Sequence, residues 1–553
     1  MTPAPPRPSR LLGRSVDFGS LLREDGTIGL ETEPGLEVHA FALACAVEDV
    51  LGLGVRPAER PGPPLRLRLR VARAAPATIE GPTLWWRPGD RLRDTLLAFP
   101  DGPHADLGPL PFPALGRAEP ALADGLFGDA RPLLVDASGP LALRAGELVA
   151  LLADLPLRRA EEILGHGDAS SDVRAVLSAD LALRWILARL VPIPGADARP
   201  ISLLTVDAED QQRYFLNRAG HCSTVVGTPD DDLLFTKSCR TIMERCEAEG
   251  LAAIFMVTGD ELDPSFRDAF GDPLLGLDDN RKVLDEIVAR GHGLGFHGFD
   301  HEWWLGKGYS ANPPLSAAEK LRYFVETSGD LRILLGGLRF LWRHRRELAR
   351  ARAAKKARER SRGQPFTEAE MLADIERWCR LVDWREERIF VRYPGFVRSP
   401  ATLEAFDRCF RDTVDSSDLF EPDPPLPVHP YRLLVERDGT VRRTRIREIP
   451  CLLVDKILRT RDRRRVDAYL DRLAVMARFA GSFLCFVTHT KVLGTTWGHC
   501  HLYLHDPARG MALPTVEASW KAFARFLRER TRSANRPDVD RIFPERTACR
   551  TAA

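Results

Sequence analysis

The ten cysteines of this sequence include no Cys-x-x-Cys pair. That leaves no framework for a zinc ribbon or a set of disulfides, and it suits a reducing compartment. No apolar run approaches the length of a membrane span. The first stretch, Met1–Leu22, carries Pro and Arg but no apolar segment of the secretory type. Charge of one sign is also missing: 79 Lys+Arg stand against 78 Asp+Glu, which speaks against a general nucleic-acid binder. These absences lead us to expect a cytoplasmic protein with no nucleic-acid partner, and they leave peripheral membrane contact open.

What is present is enough apolar sequence, 44% of 553 residues, for two to four domains with cores of their own. Met1–Arg10 is Pro-rich and is expected to be disordered. Leu36–Leu51 reads as a helix, and Leu65–Val71 as a half-solvated strand because Leu alternates with Arg. Trp85-Trp86 and Leu133–Val135 suit further strands, and Leu148–Leu155 and Val173–Val191 read as helices. His166 and Asp168 sit in a Gly-rich loop in which ordinary polar residues are expected. Residues 1–195 thus form an α/β domain without a chemical motif, closed by the Pro-rich Pro192–Pro200.

After that boundary, short apolar strands alternate with helices, and polar residues stand where the strands end. Ile201–Val206 leads into Asp207, Glu209 and Asp210. Gly293–Phe296 leads into His297, with His301 four residues on. Arg388–Val391 leads into Arg392, Asp412–Val414 into Asp415-Ser416-Ser417, and Phe483–Val487 into Thr488-His489. Helices are expected at Thr236–Gly250, with Thr236 as a cap, and at Asn280–Arg290, Glu368–Leu381, Ala401–Phe410, Val466–Ala480 and Val516–Arg530. This is the pattern of a parallel barrel with its site at one mouth.

The residue types match metal-assisted hydrolysis. A carboxylate cluster can give one metal ligand and one general base, paired imidazoles at i and i+4 can share an ion, and a strand-end imidazole can protonate a leaving amine. An Arg beside a carboxylate holds it ionised and oriented.

Residues 201 to about 530 resemble the polysaccharide deacetylase (NodB-homology, carbohydrate esterase family 4) superfamily. Leu204–Asp210 looks like its first motif, Leu251–Asp260 is similar to its second strand, and Gly291–His301 is similar to its Gly-His-x-x-Gly-x-His-x-x-x-His segment. Arg392–Phe396 resembles its Arg-x-Pro motif, Asp415–Ser417 the strand that follows, and Val487–His489 its Leu-x-His motif. The resemblance implies a distorted (β/α) barrel of the polysaccharide deacetylase type over residues 196–532, preceded by the separate α/β N-terminal domain and followed by a tail at 533–553.

The resemblance also implies a divalent metal, zinc by family habit, and a carbohydrate or glycan-intermediate substrate that loses an N-acyl group, acetyl or formyl. Asp207 falls on the general base, Arg392 on the residue that orients it, and His489 on the general acid. His297 and His301 fall on the metal histidines. Ala208 stands where the usual motif has a second Asp, so the third ligand is Glu209 or Asp210, with Glu209 preferred on spacing. The same departure raises the alternative of a catalytically weak carbohydrate-binding or scaffold protein. His499, His501 and His505 are rivals to His489, and Tyr393 with its backbone is a candidate oxyanion contact. Trp303 and Trp304 suit either core packing or stacking on a sugar. Between the motifs at His301 and Arg392, Leu331–Arg362 runs from apolar to basic. It reads as a solvated helical insertion or as a membrane-surface or anionic-substrate element near the mouth.

Overall fold

The computed structural model describes residues 11–89, 91–100, 107, 110–117, 129–165, 172–193, 199–208, 234–265, 277–299, 342, 345–346, 366–396, 398–460, 462–479, 481–490 and 514–533. The chain divides into two compact units. The first comprises residues 1–198, 422–449 and 479–482, and the second comprises 199–421, 450–478 and 483–553. Residues 422–449 and 479–482, which a linear division would give to the second unit, therefore group with the first.

The first unit holds a seven-stranded sheet. Its order is Val55–Pro57, Ile28–Thr32, Leu67–Val71, Thr83–Trp86, Leu148–Leu151, Gly139–Ala145, Arg131–Asp136. The first five strands are parallel and the last three form an antiparallel meander. The Leu/Arg alternation of 67–71 places Leu67, Leu69 and Val71 in the core, while Arg68 and Arg70 turn outward to Glu31 at 3.2 and 3.5 Å. The expected helix at Leu148–Leu155 is corrected here. Leu148–Leu151 is a fully buried strand paired on both edges, and the helix starts only at Leu155, with Pro156 in its first turn. A short apolar run fits either period, and edge pairing decides it.

Helices Glu37–Leu51, Leu155–Leu164 and Val173–Leu187 meet a buried ionic cluster in this unit. Arg159 reaches Asp49 at 2.8 Å and Asp180 at 2.5 Å. Arg443, on the antiparallel hairpin Tyr431–Arg437 and Thr440–Glu448, pairs with both Glu48 and Asp49. Buried charges persist only when paired in this way.

The second unit is built on seven parallel strands: β1 (Ile201–Ala208), β2 (Ala253–Val257), β3 (Gly293–Phe296), β4 (Arg388–Val391), β5 (Asp412–Asp415), β6 (Cys451–Leu453) and β7 (Phe483–His489). Their order is β5-β4-β3-β2-β1-β7-β6. Strands β1 and β2 are buried at every residue, as expected for a parallel sheet covered on both faces. Gly295 is needed in β3: a Cβ there would lie 2.6 Å from the Met256 sulfur and 2.8 Å from the Phe390 carbonyl oxygen.

Helices α1 (Leu234–Ala248), α2 (Leu277–Ala289), α3 (Glu368–Val382), α4 (Pro400–Cys409), α5 (Asp455–Arg459), α6 (Arg463–Met476) and α7 (Pro514–Arg530) complete the alternation. Capping boxes at Thr367/Glu370 and Ser399/Thr402 start α3 and α4, and Asp462 caps α6. Thr236 is not a cap. It lies inside α1, and its hydroxyl is 3.0 Å from Asn280 Oδ1.

Among the described residues, strand pairing leaves the sheet open between β5 and β6. One isolated parallel bridge, Leu419 to Cys451, spans that gap, with Phe420 N donating to Cys451 O at 3.1 Å and Cys451 N to Asp418 O at 2.8 Å. The core packs aromatic rings against the strands, with Phe296 5.2 Å from both Trp378 and Phe406, and Phe486 4.8 Å from Phe523. No helix among the described residues is long and apolar enough to cross a membrane.

Candidate active site

Parallel register brings the strand-end residues together. Asp207 and His489 are direct partners across β1 and β7. The ladder runs one residue past the other strands: His297 N donates to Val257 O at 3.1 Å, Arg392 N to Phe296 O at 2.9 Å and Ser416 N to Val391 O at 3.1 Å. Each polar side chain is therefore set by a backbone bond at the C-terminal edge of the sheet, where α/β folds place their sites.

Asp207 is 1% exposed and Arg392 is 0% exposed. Arg392 Nη1 donates to Asp207 Oδ1 at 2.7 Å, Nη2 to Thr205 Oγ1 at 2.6 Å and to Ser416 Oγ at 2.8 Å, and Nε to the Ser416 carbonyl at 3.0 Å. Burial opposes the guanidinium charge and the Asp207 carboxylate favours it. The pKa moves upward, so the attraction wins and Arg392 stays charged.

The other carboxylate oxygen, Asp207 Oδ2, lies 3.8 Å from His297 Nε2 and 3.7 Å from His489 Nε2. Both imidazoles are fixed from behind. His297 Nδ1 is 3.0 Å from the Arg392 carbonyl, which can only accept, so Nδ1 carries the hydrogen and a neutral ring turns its Nε2 lone pair toward Asp207. His489 Nδ1 is 2.6 Å from Asp455 Oδ2, and the other oxygen of Asp455 accepts from Thr488 Oγ1 at 2.8 Å.

Asp207, His297, Arg392 and His489 thus share one locus. Glu209, Asp210 and His301 lie outside the described residues, as do His166, Asp168, Trp303, Trp304, His499, His501, His505 and all of 331–362 except 342, 345 and 346. Residues 297–299 leave β3 without entering a helix. The oxyanion expectation for the Tyr393 backbone is corrected: its N–H donates to Ser417 Oγ at 2.9 Å and its side chain is buried. Ser417 Oγ passes a bond to Asp415 Oδ1 at 2.6 Å, and Arg398 holds Asp415 at 2.5 Å and Asp418 at 2.7 Å. Asp415–Ser417 is accordingly a braced turn that presents Ser416 to Arg392.

Two functional candidates escaped the sequence reading, Thr205 and Asp455. The available signal for Asp455 was the apolar run Cys451–Val454 ending in an acid, the same pattern as at the other strand ends. Among the described residues, no group of three or more His, Cys, Asp or Glu side chains is arranged to hold a metal ion. His297 turns a neutral imidazole nitrogen, Nε2, into the site, a donor of the type that suits a borderline divalent ion such as zinc.

No family model matches the chain, and neither does any curated protein. Solved structures do. A protein from Mycobacterium smegmatis, provisionally named a polysaccharide deacetylase, is similar at 12% identity over 64% of this chain and 92% of its own, with a TM-score of 0.32. A carbohydrate esterase family 4 pseudoenzyme from Bacillus anthracis is similar at 10% identity over 63% of this chain and 67% of its own, with a TM-score of 0.27. The chitin deacetylase of Colletotrichum lindemuthianum is similar at 10% identity over 64% of this chain and 91% of its own, with a TM-score of 0.26. Two of these neighbours carry, in their names, the terms polysaccharide deacetylase and carbohydrate esterase family 4, which are those of the superfamily that the motifs of this chain resemble.

Proposed function

We propose that this chain is a cytoplasmic, metal-dependent hydrolase that removes an acetyl or formyl group from the nitrogen of a sugar or glycan intermediate. The observation that carries this reading is the buried Asp207 carboxylate, held at one oxygen by Arg392 and facing two imidazoles with the other. We read the second unit as a distorted (β/α) barrel, and the Leu419–Cys451 bridge across the gap between β5 and β6 supports that reading.

His297 and His301, with Glu209 or Asp210, would hold the ion. When bound, it would supply Lewis acidity toward the acyl carbonyl and toward water, whose pKa such ions lower to about 7. The chain's own groups do the rest. Asp207 Oδ2 accepts the proton of the attacking water as the oxygen bonds to the acyl carbon. Arg392 keeps Asp207 ionised and oriented, so the base is ready without rearrangement. His489 gives its Nε2 proton to the nitrogen as the C–N bond breaks, and Asp455 holds the ring through Nδ1 and steadies the charge that passes through it.

The test pairs metal content with acyl release. Wild type, His297→Ala, Asp207→Asn and Glu209→Gln are reconstituted with zinc and offered N-acetylated and N-formylated amino sugars. Expected are acetate or formate from wild type, loss of metal from His297→Ala, retained metal without turnover from Asp207→Asn, and weakened metal binding from Glu209→Gln. Wild type that binds zinc-free sugar oligomers and releases no acid would replace this reading with the scaffold alternative.

A further inference from the structure

A guanidinium and a carboxylate are both planar and ordinarily meet through two parallel hydrogen bonds. Arg392 and Asp207 do not. One bond joins them, Nη1 to Oδ1 at 2.7 Å, and Nη2 and Nε donate to other residues. Nη2, which would complete a two-bond pair, is divided between Thr205 Oγ1 at 2.6 Å and Ser416 Oγ at 2.8 Å, while Nε is held by the Ser416 carbonyl at 3.0 Å.

Both hydroxyls are built to receive it. Thr205 Oγ1 donates its own hydrogen to the Phe486 carbonyl at 2.7 Å, which turns its lone pairs toward Arg392. Thr205 and Ser416 are each 0% exposed, so water does not compete for these bonds. Ser416 is delivered by the braced turn described above, in which Arg398 and Ser417 hold Asp415.

We propose that Thr205 and Ser416 are positioning residues that hold Arg392 to a single bond with Asp207 Oδ1 and so keep Oδ2 turned to His297 and His489. A two-bond pair would draw Oδ2 into the guanidinium plane and away from the atoms it must serve. The catalytic consequence rests on the hydrolase reading above, whereas the geometric one stands without it.

Crystal structures and steady-state kinetics of Thr205→Val, Ser416→Ala and the double variant test the inference, with Thr205→Ser as the conservative control. The double variant should show Arg392 Nη2 bonded to Asp207 Oδ2. Its kcat should fall about a hundredfold with KM within about twofold, because the defect lies in the reacting geometry and not in substrate binding. Thr205→Ser should keep the single bond and stay within about threefold of wild type. A single-bonded pair in the double variant overturns the proposal whatever the rate does, and so does a two-bond pair with unchanged kcat. Should the double variant fail to fold, Thr205→Val, which keeps the side-chain shape, carries both measurements. Wild type without acyl release would refute the hydrolase reading instead, and the crystal structures would then decide the positioning role alone.

Discussion

Replacing Arg392 with Met should cost this protein more stability than an ordinary core substitution. The side chain is 0% exposed and makes four hydrogen bonds, one to a buried carboxylate. Methionine fills much of the same length without a charge, so the packing loss is small. What remains is Asp207 buried opposite an apolar side chain, and removing one partner of such a pair costs about 3–5 kcal/mol. Asp207→Asn keeps a neutral acceptor for Nη1 but leaves the buried Arg392 cation without its anion, so it should cost about 3 kcal/mol. In the double variant no uncompensated charge remains, so its cost should fall short of the sum of the two single-variant costs by about 2 kcal/mol. Two compact units can unfold separately, and a global probe would mix them. The assay is therefore hydrogen exchange along a urea series, read on peptides covering β1 and β7. A loss below about 1 kcal/mol for Arg392→Met, or single-variant costs that add to within about 0.5 kcal/mol, would refute the view that the pair is held by mutual attraction in a dry site.

Further outcomes follow from neighbouring residues. Asp455→Asn should lower kcat by about 10²- to 10⁴-fold with little change in KM, since His489 loses the anion behind Nδ1; steady-state kinetics on an acylated amino sugar checks this. His292 has a pKa held below its ordinary value by burial, against a raising contribution from Glu247, and its Nδ1 accepts from Ala253 N at 3.1 Å. The folded state therefore prefers the neutral ring. Its stabilising contribution is complete above the unfolded pKa of about 6.5 and is lost as pH falls from there toward the folded value. Urea midpoints between pH 5 and 7.5 should show that decline, and His292→Asn should flatten it. If the 331–362 segment is a membrane-surface element, the intact protein should co-sediment with anionic vesicles at low salt and release as salt rises, and a form lacking 331–362 should stay in the supernatant. Equal partition of the two forms would end that idea.

Five of the seven parallel strands in the second unit were legible because each is an apolar run ending in a polar group, which is how a strand covered on both faces and open at one end must look, and β2 was legible through the resemblance of Leu251–Asp260. β6 was not. Cys451–Val454 ends in an acid as the other runs do, but it is short and follows Pro450 directly, and pairing with β7 is what marks it as a strand. Missing β6 meant missing Asp455, whose role exists only through a histidine 34 positions away. Thr205 was hidden for a different reason: inside an apolar strand a hydroxyl reads as filler until its donor is seen. Leu148–Leu151 was misread because four apolar residues fit both periods. The pairing of Asp207, Arg392, His297 and His489 was approachable from sequence because one register fixes all four. The distribution of Arg392's donors was not, since side-chain directions do not show in the spacing of residues.

The hairpin that carries Arg443 has a consequence for how the protein is made. Glu48 and Asp49 leave the ribosome early, as does Arg159, yet the cation that completes their cluster is residue 443. At synthesis rates of about 5–20 residues per second, the 245 residues between position 198 and position 443 take roughly 12–50 seconds to emerge. For that interval Glu48 and Asp49 lack Arg443 and have only Arg23, a partner of Glu48, and Arg159, which Asp49 shares with Asp180, and residues 199–421 of the second unit must be spun out before the missing charge arrives. The first unit, begun first, is in this sense closed only after residues 199–421 of the second have been made.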